Sequence, residues 1–197
     1  MKYVGIIGRP NSDKITFNKE VIDIIDKYNL VPIGIIVDFN NDVSKEFNKV
    51  KTLIDMCNYF ILQGGIEYYD IDIKIVKYLY DLNMPTLGIC LGMQTMAMAF
   101  DGNMDDIDKH YSNNKYVHSI NIDENSKLYS IIKKNNILVN SRHHSYIVNT
   151  KLSVSSLSNV IESIEDKNKK FFIGLQWHPE SIYDENNKKI FDYFFNL

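Results

Sequence analysis

The sequence predicts an α/β fold: a mostly parallel central sheet with helices on both faces, plus an antiparallel strand addition in the C-terminal half. Three observations lead there. Short apolar runs alternate with amphipathic helical stretches through the first half, as strand–helix–strand units require. The second half instead carries closely spaced short strands with period-two patterning, as hairpins do. Between the halves lies Met84-Pro-Thr-Leu-Gly-Ile-Cys90-Leu-Gly92-Met-Gln94, a buried strand running into a helix through a glycine-flanked cysteine.

The elements follow in order. Residues 2–8 read as a first buried strand. Residues 16–29 form an amphipathic helix, with Phe17, Val21, Ile24, Ile25 and Tyr28 at helical spacing. Residues 32–37 form a second strand. Ser44 is expected to cap the next helix, which puts Phe47, Val50, Ile54 and Cys57 on one face. Tyr59–Leu62 is a third strand ending in Gln63-Gly64-Gly65. Residues 71–82 are helical, and 85–89 form the fourth strand. Beyond it, strands are expected at 116–122, 137–140, 152–157, 160–164 and 171–177, with a closing helix over 184–196. The Asp-rich run 101–108 reads as a solvated loop, and His110 and His118 as surface or edge residues.

Bulk properties narrow the function. The 197 residues fit one domain, 1–197. A net charge of −3 gives no basic footprint for nucleic acid. No apolar run is long enough to span a bilayer. Two cysteines, Cys57 and Cys90, make no disulfide framework, and the chain opens directly into a strand. A reduced, cytoplasmic protein is the expectation.

Gly88-x-Cys90-x-Gly92 has the layout of a nucleophile elbow. The turn is too tight for side chains two residues either side of the nucleophile, and it lifts the sulfur above the sheet beside a helix N-terminus, which favours a thiolate. The chain has only 9 Gly and 4 Pro, yet Gly64, Gly65, Gly88, Gly92 and Gly174, with Pro85 and Pro179, fall in or beside the candidate site segments. The later Gln176-Trp177-His178-Pro179-Glu180 supplies a base and a carboxylate two residues apart. Cys90, His178 and Glu180 therefore compose a nucleophile–base–orienter set. His143-His144 are adjacent and point opposite ways in extended chain. No metal and no other cofactor is expected.

Gly88-Ile-Cys-Leu-Gly-Met-Gln94 and Gly174-Leu-Gln-Trp-His-Pro-Glu180 resemble the signature segments of the class I glutamine amidotransferases, across nearly the whole chain. Within that superfamily the chain resembles the gamma-glutamyl hydrolase branch, including gamma-glutamyl-gamma-aminobutyrate hydrolases. That likeness rests on the opening Val4-Gly-Ile-Ile-Gly-Arg-Pro10, on Tyr28-Asn-Leu-Val-Pro32 and on Val139-Asn-Ser-Arg-His-His144. It implies the flavodoxin-like amidotransferase fold. It also implies Cys90 as nucleophile, His178 as base, Glu180 as orienter, and oxyanion N–H groups from Gly65 and Leu91. Gln94, Gly64 and one of His143 and His144 would bind substrate. The sequence departs from the branch at Gln63, where proline is usual, at Leu91, where arginine is frequent, and at Ser145, where glutamine follows the paired histidines. Leu91 is instead typical of amidotransferases that serve a synthetase.

The implied reaction is hydrolysis of the gamma-glutamyl amide bond of a small gamma-glutamyl compound through a thioester. The alternatives are a glutaminase subunit delivering ammonia to a synthetase partner, or a binding domain that kept the fold without catalysis. The sequence does not set the oligomeric state.

Overall fold

A computed structural model describes residues 1–108 and 110–197. The first half runs β1 (Tyr3–Ile7), β2 (Arg9–Asn11), β3 (Lys14–Thr16), α1 (Lys19–Lys27), β4 (Val31–Ile35), α2 (Val43–Asp55), β5 (Tyr59–Leu62), α3 (Asp70–Asp81), β6 (Thr86–Ile89) and α4 (Leu91–Ala99). The second runs β7 (Asn103–Asp106), β8 (His118–Ile122), α5 (Lys127–Ile132), β9 (Asn136–Val139), β10 (Ser145–Asn149), β11 (Ser153–Leu157), β12 (Ile161–Glu165), β13 (Phe172–Leu175), α6 (Pro179–Ile182) and α7 (Glu185–Phe195).

Nine strands form one sheet in the order β4-β1-β5-β6-β13-β12-β11-β8-β9. The first five are mutually parallel, and every pairing from β13 outward is antiparallel. The mixed sheet follows the class that the sequence predicts. Period-two alternation divides β1, β5 and β13 between two cores. Tyr59 and Ile61 of β5 face a cluster with Val21, Ile24 and Ile25 of α1 and Ile190, Phe191 and Phe194 of α7. Phe60 and Leu62 face the other side, with Phe47, Val50 and Ile54 of α2, Ile71, Ile75 and Leu79 of α3, and Met93 and Met96 of α4. Each such side chain contributes roughly 1.5–3 kcal/mol on burial, so both helical layers are anchored by the same strands.

Several expectations change. The helix expected over 16–29 begins at Lys19, because residues 9–16 fold into the β2–β3 hairpin and Asn18 caps α1 by accepting the Glu20 N–H. Asp42, not Ser44, caps α2, accepting the Lys45 N–H at 2.8 Å. A carboxylate at this position satisfies an orphan donor and the helix dipole together. The Asp-rich run is no solvated loop: residues 103–106 form β7, paired antiparallel with β10. Six residues at 127–132 form α5, too short for a periodic signal, capped by Ser126. Cys57, expected on the apolar face of α2, lies just past that helix, buried, with its thiol donating to the Leu53 carbonyl. Among the described residues no helix is long and apolar enough to cross a membrane.

Helix α4 sits unusually close to the sheet. A Cβ added to Gly92 would lie 2.0 Å from the Leu62 carbonyl oxygen, and one on Gly88 2.8 Å from the Gly92 backbone. Gly92→Ala should therefore lose about 1–3 kcal/mol or more to overpacking, exceeding the roughly 1 kcal/mol of helix propensity that alanine brings. Urea unfolding of the two proteins measures the difference; an equally stable variant would contradict this packing.

Candidate functional site

Strands β6 and β13 pair in parallel with Gly88 opposite Gly174 and Ile89 opposite Leu175. Their carboxyl ends therefore emerge side by side, and the Cys90 N–H donates to the Leu175 carbonyl at 2.8 Å. This is the edge of an open α/β sheet where ligands bind. Cys90 takes φ 52° and ψ −106°, a conformation that L side chains rarely adopt, and forms the N-cap of α4. Such backbone costs about 1–3 kcal/mol and persists only where its surroundings enforce it. Here the glycines at 88 and 92 and the β6–β13 pairing enforce it.

His178 caps α6, with Pro179 in the first turn and Glu180 behind it. Its Nδ1–H donates to Glu180 Oε1 at 2.8 Å, which leaves Nε2 for the Cys90 thiol. Burial alone would lower the His178 pKa. The charge of Glu180 and the hydrogen bonds to Cys90 and Glu180 outweigh it and raise the value to about 10. Glu180 Oε2 is buried with no partner among the described residues. Gly64 completes the enclosure: a Cβ there would lie 3.0 Å from His178 Cε1 and 3.8 Å from Cys90 Cβ. Gly65 lies beside Leu91, whose Cδ2 would be 2.8 Å from an added Cβ. Leu91 holds the first position of α4, so its N–H has no acceptor within the helix. The structure thus gathers Cys90, His178, Glu180, Gly64, Gly65 and Leu91.

The remaining expected residues differ. Gln94 is buried, and its amide nitrogen donates to the Ser145 carbonyl at 3.0 Å and to Gln176 Oε1 at 3.2 Å. His143 is buried; its Nδ1–H donates to the Ser145 carbonyl at 3.0 Å, and its Nε2 lies 3.3 Å from His110 Nδ1. His144 is exposed and stacks on Tyr111, ring centroids 5.2 Å apart. Neither ring bonds to Cys90, His178 or Glu180, because the chain turns away after Asn140.

Sequence reasoning missed a supporting set. Asn140 clamps the His178 backbone twice, accepting from its N–H at 2.8 Å and donating to its carbonyl at 3.0 Å. Gln176 donates to Cys90 Sγ at 3.7 Å, and Asn18 reaches Glu180 Oε1 at 3.4 Å. Gln63 donates to the Ile7 and Thr16 carbonyls and accepts the Asn18 N–H, tying the sheet to the hairpin and to α1. Gln63, Gln176 and Asn140 lay inside motifs that could have flagged them; Asn18 did not. Beside Gly64 and Gly65 opens a cavity of about 370 Å³, also lined by Arg9, Thr16, Glu67 and Tyr69. Arg9 is fixed in a buried ion pair with Asp72 at 2.7 Å. Away from this site, half-buried His110 and His118, the latter at the edge where β8 begins, gather with buried Glu162.

Comparison with known proteins places this geometry in context. The family model described as glutamine amidotransferase class-I matches residues 21–197. The glutamine-hydrolyzing GMP synthase of Francisella tularensis subsp. holarctica is 32% identical over 165 residues, covering 79% of this chain and 30% of that protein. The chain thus spans less than a third of the length of the curated relatives it matches. Among solved structures, the glutaminase domain of Trypanosoma brucei CTPS with bound acivicin superimposes with a TM-score of 0.75 at 15% identity, covering 100% of this chain and 92% of that one. A glutamine amidotransferase of Thermotoga maritima gives 0.67 at 15% identity, covering 99% and 83%; at such identities both show a shared fold. By its matched family and its fold, the chain belongs to the class I glutamine amidotransferases.

Proposed function

We propose that this protein hydrolyses glutamine through a thioester on Cys90 and supplies the ammonia to a synthetase partner. The observation that carries this reading is the sulfur–imidazole–carboxylate line Cys90–His178–Glu180, in a chain similar to glutamine-hydrolyzing GMP synthases. Leu91 after the nucleophile agrees with it. The gamma-glutamyl hydrolase reading rests on the opening segment and on Val139–His144. In that second segment Asn140 holds the His178 backbone and His143 bonds inward, which gives both residues structural duties that need no distinct substrate.

The chemistry follows from the proton inventory. His178 is charged at neutral pH, so positive charge lies against the sulfur and stabilises negative charge there. The sulfur attacks the side-chain amide carbon of glutamine. The Leu91 and Gly65 N–H groups receive the oxyanion, each donor worth about 10²–10³ in rate. His178 gives its proton to the departing amine, and ammonia leaves with the C–N bond. The neutral imidazole then takes a proton from water, hydroxide opens the thioester, and glutamate departs with sulfur and imidazolium restored. Glu180 holds the tautomer throughout. With its nitrogen engaged by Ser145 and Gln176, Gln94 offers its carbonyl oxygen to the substrate ammonium, and Gly64 leaves room for the substrate chain.

Two outcomes are expected. Purified protein, alone or with a synthetase from the same source, should release ammonia and glutamate from glutamine, and Cys90→Ala should reduce this at least ~10⁴-fold. Efficient cleavage of gamma-glutamyl amines with glutamine left intact would sink the glutaminase reading. The His178 ring, followed by NMR, should titrate at about 10 rather than at the ordinary 6.5. Glu180→Gln should return it toward the ordinary value. Because the folded value is the higher one, the stability this charge contributes is complete below pH 6.5 and is lost as the pH rises to about 10. A ring that titrates normally in the wild-type protein would contradict the charged pairing.

A further inference from the structure

The antiparallel end of the sheet carries a second cluster of polar side chains. Strand β11 pairs with β8 only through Ser156–Ile122 and Leu157–Asn121, then turns into β12. The first residues of β8 therefore have no strand beside them on that flank. In the notch His118 reaches over to Glu162 of β12, with Nε2 2.7 Å from Oε1. Glu162 is fully buried, Oε1 also accepts from Ser158 Oγ at 2.7 Å, and Oε2 has no partner among the described residues. A ring nitrogen of His110 completes the set: one ligand atom each from His110, His118 and Glu162 lie within 4.8 Å of one another.

Hydrogen bonding fixes the tautomer of His110. The Ser145 carbonyl can only accept, so His143 carries its proton on Nδ1 and presents a lone pair at Nε2. That lone pair faces His110 Nδ1 at 3.3 Å, so His110 is the donor there and keeps its own lone pair on Nε2. A histidine whose far nitrogen is oriented by an outer partner is the usual arrangement of a metal ligand. Two histidines thus gather at one buried carboxylate that holds an unused oxygen, with His143 behind one of them.

We propose that His110, His118 and Glu162 bind a first-row divalent cation of the zinc type, with His143 as the outer partner that orients His110 and water as the remaining ligand. Two imidazoles and a carboxylate suit such an ion. Zinc holds these donors at about 2.0–2.2 Å, so the present spread closes with side-chain movements of roughly an ångström, which the two half-buried histidines can make. A cavity of about 410 Å³ lined by His110, His118 and Asn159 gives an ion a way in and room for its water.

The test uses the full chain with Cys90→Ala, which removes the competing thiol, stripped with a chelator and titrated with zinc chloride by calorimetry and with cobalt(II) by visible spectroscopy. About one equivalent should bind, with the d–d bands of four-coordinate cobalt. His118→Ala should abolish both signals, and so should the nearly isosteric Glu162→Gln, checked for folding by circular dichroism. His143→Ala should weaken binding roughly 10- to 100-fold. No binding to the Cys90→Ala protein, or binding untouched by a folded Glu162→Gln variant, would overturn the site.

Discussion

Four parallel register pairs between β6 and β13, from Phe172–Thr86 to Leu175–Ile89, govern the molecule. They close a gap of more than eighty residues and bring the cysteine turn beside Gln176, the residue that opens the run to His178. The two glycines in register, Gly88 and Gly174, leave a flat spot on the sheet. Met96 and Met93 of α4 settle onto it, each closer than a Cβ would allow. The helix can then begin at Cys90 with its N-terminus over the same strand ends. Any side chain at those glycines would lift α4 and move its unsatisfied N–H groups away from the sulfur.

The site also stores energy. Cys90 holds a costly backbone conformation, and Glu180 and Arg9 keep buried polar atoms without partners among the described residues. Buried charges of this kind are weak evidence for stability, since desolvation can exceed the Coulomb gain. The two hydrophobic layers carry that cost, anchored on β1, β5 and β13 from both sides. Cys57 shows the contrast: burial pushes its thiol up to about 11, with no charged partner to reverse the effect. Of the two cysteines, only Cys90 has an imidazole against it.

Much of this was legible in the sequence because local pattern and local chemistry agreed. The central strands read as apolar runs, the helices of the first half as amphipathic stripes, and Gly88-x-Cys90-x-Gly92 as a turn that only glycine permits. What escaped depends on contacts between distant segments. The β2–β3 hairpin has no apolar alternation, and β7 is an acidic strand that exists only because β10 pairs with it. Gln63 and Asn18 support the site through backbone bonds that no spacing rule reveals. The paired histidines were legible as a motif but not in role, since His143 turns inward to His110 and Ser145. Likewise, His110, His118 and Glu162 stand far apart in sequence and meet only through the order of the antiparallel strands.

Glutamine chemistry at this site requires a reactive sulfur at Cys90 and an inert one at Cys57. Labelling the native protein with an electrophilic glutamine analogue, followed by peptide mass spectrometry, tests it most directly. One adduct is expected, on Cys90, suppressed by excess glutamine, with Cys57 unmodified. An adduct on Cys57, or a native protein that glutamine does not protect, would contradict it.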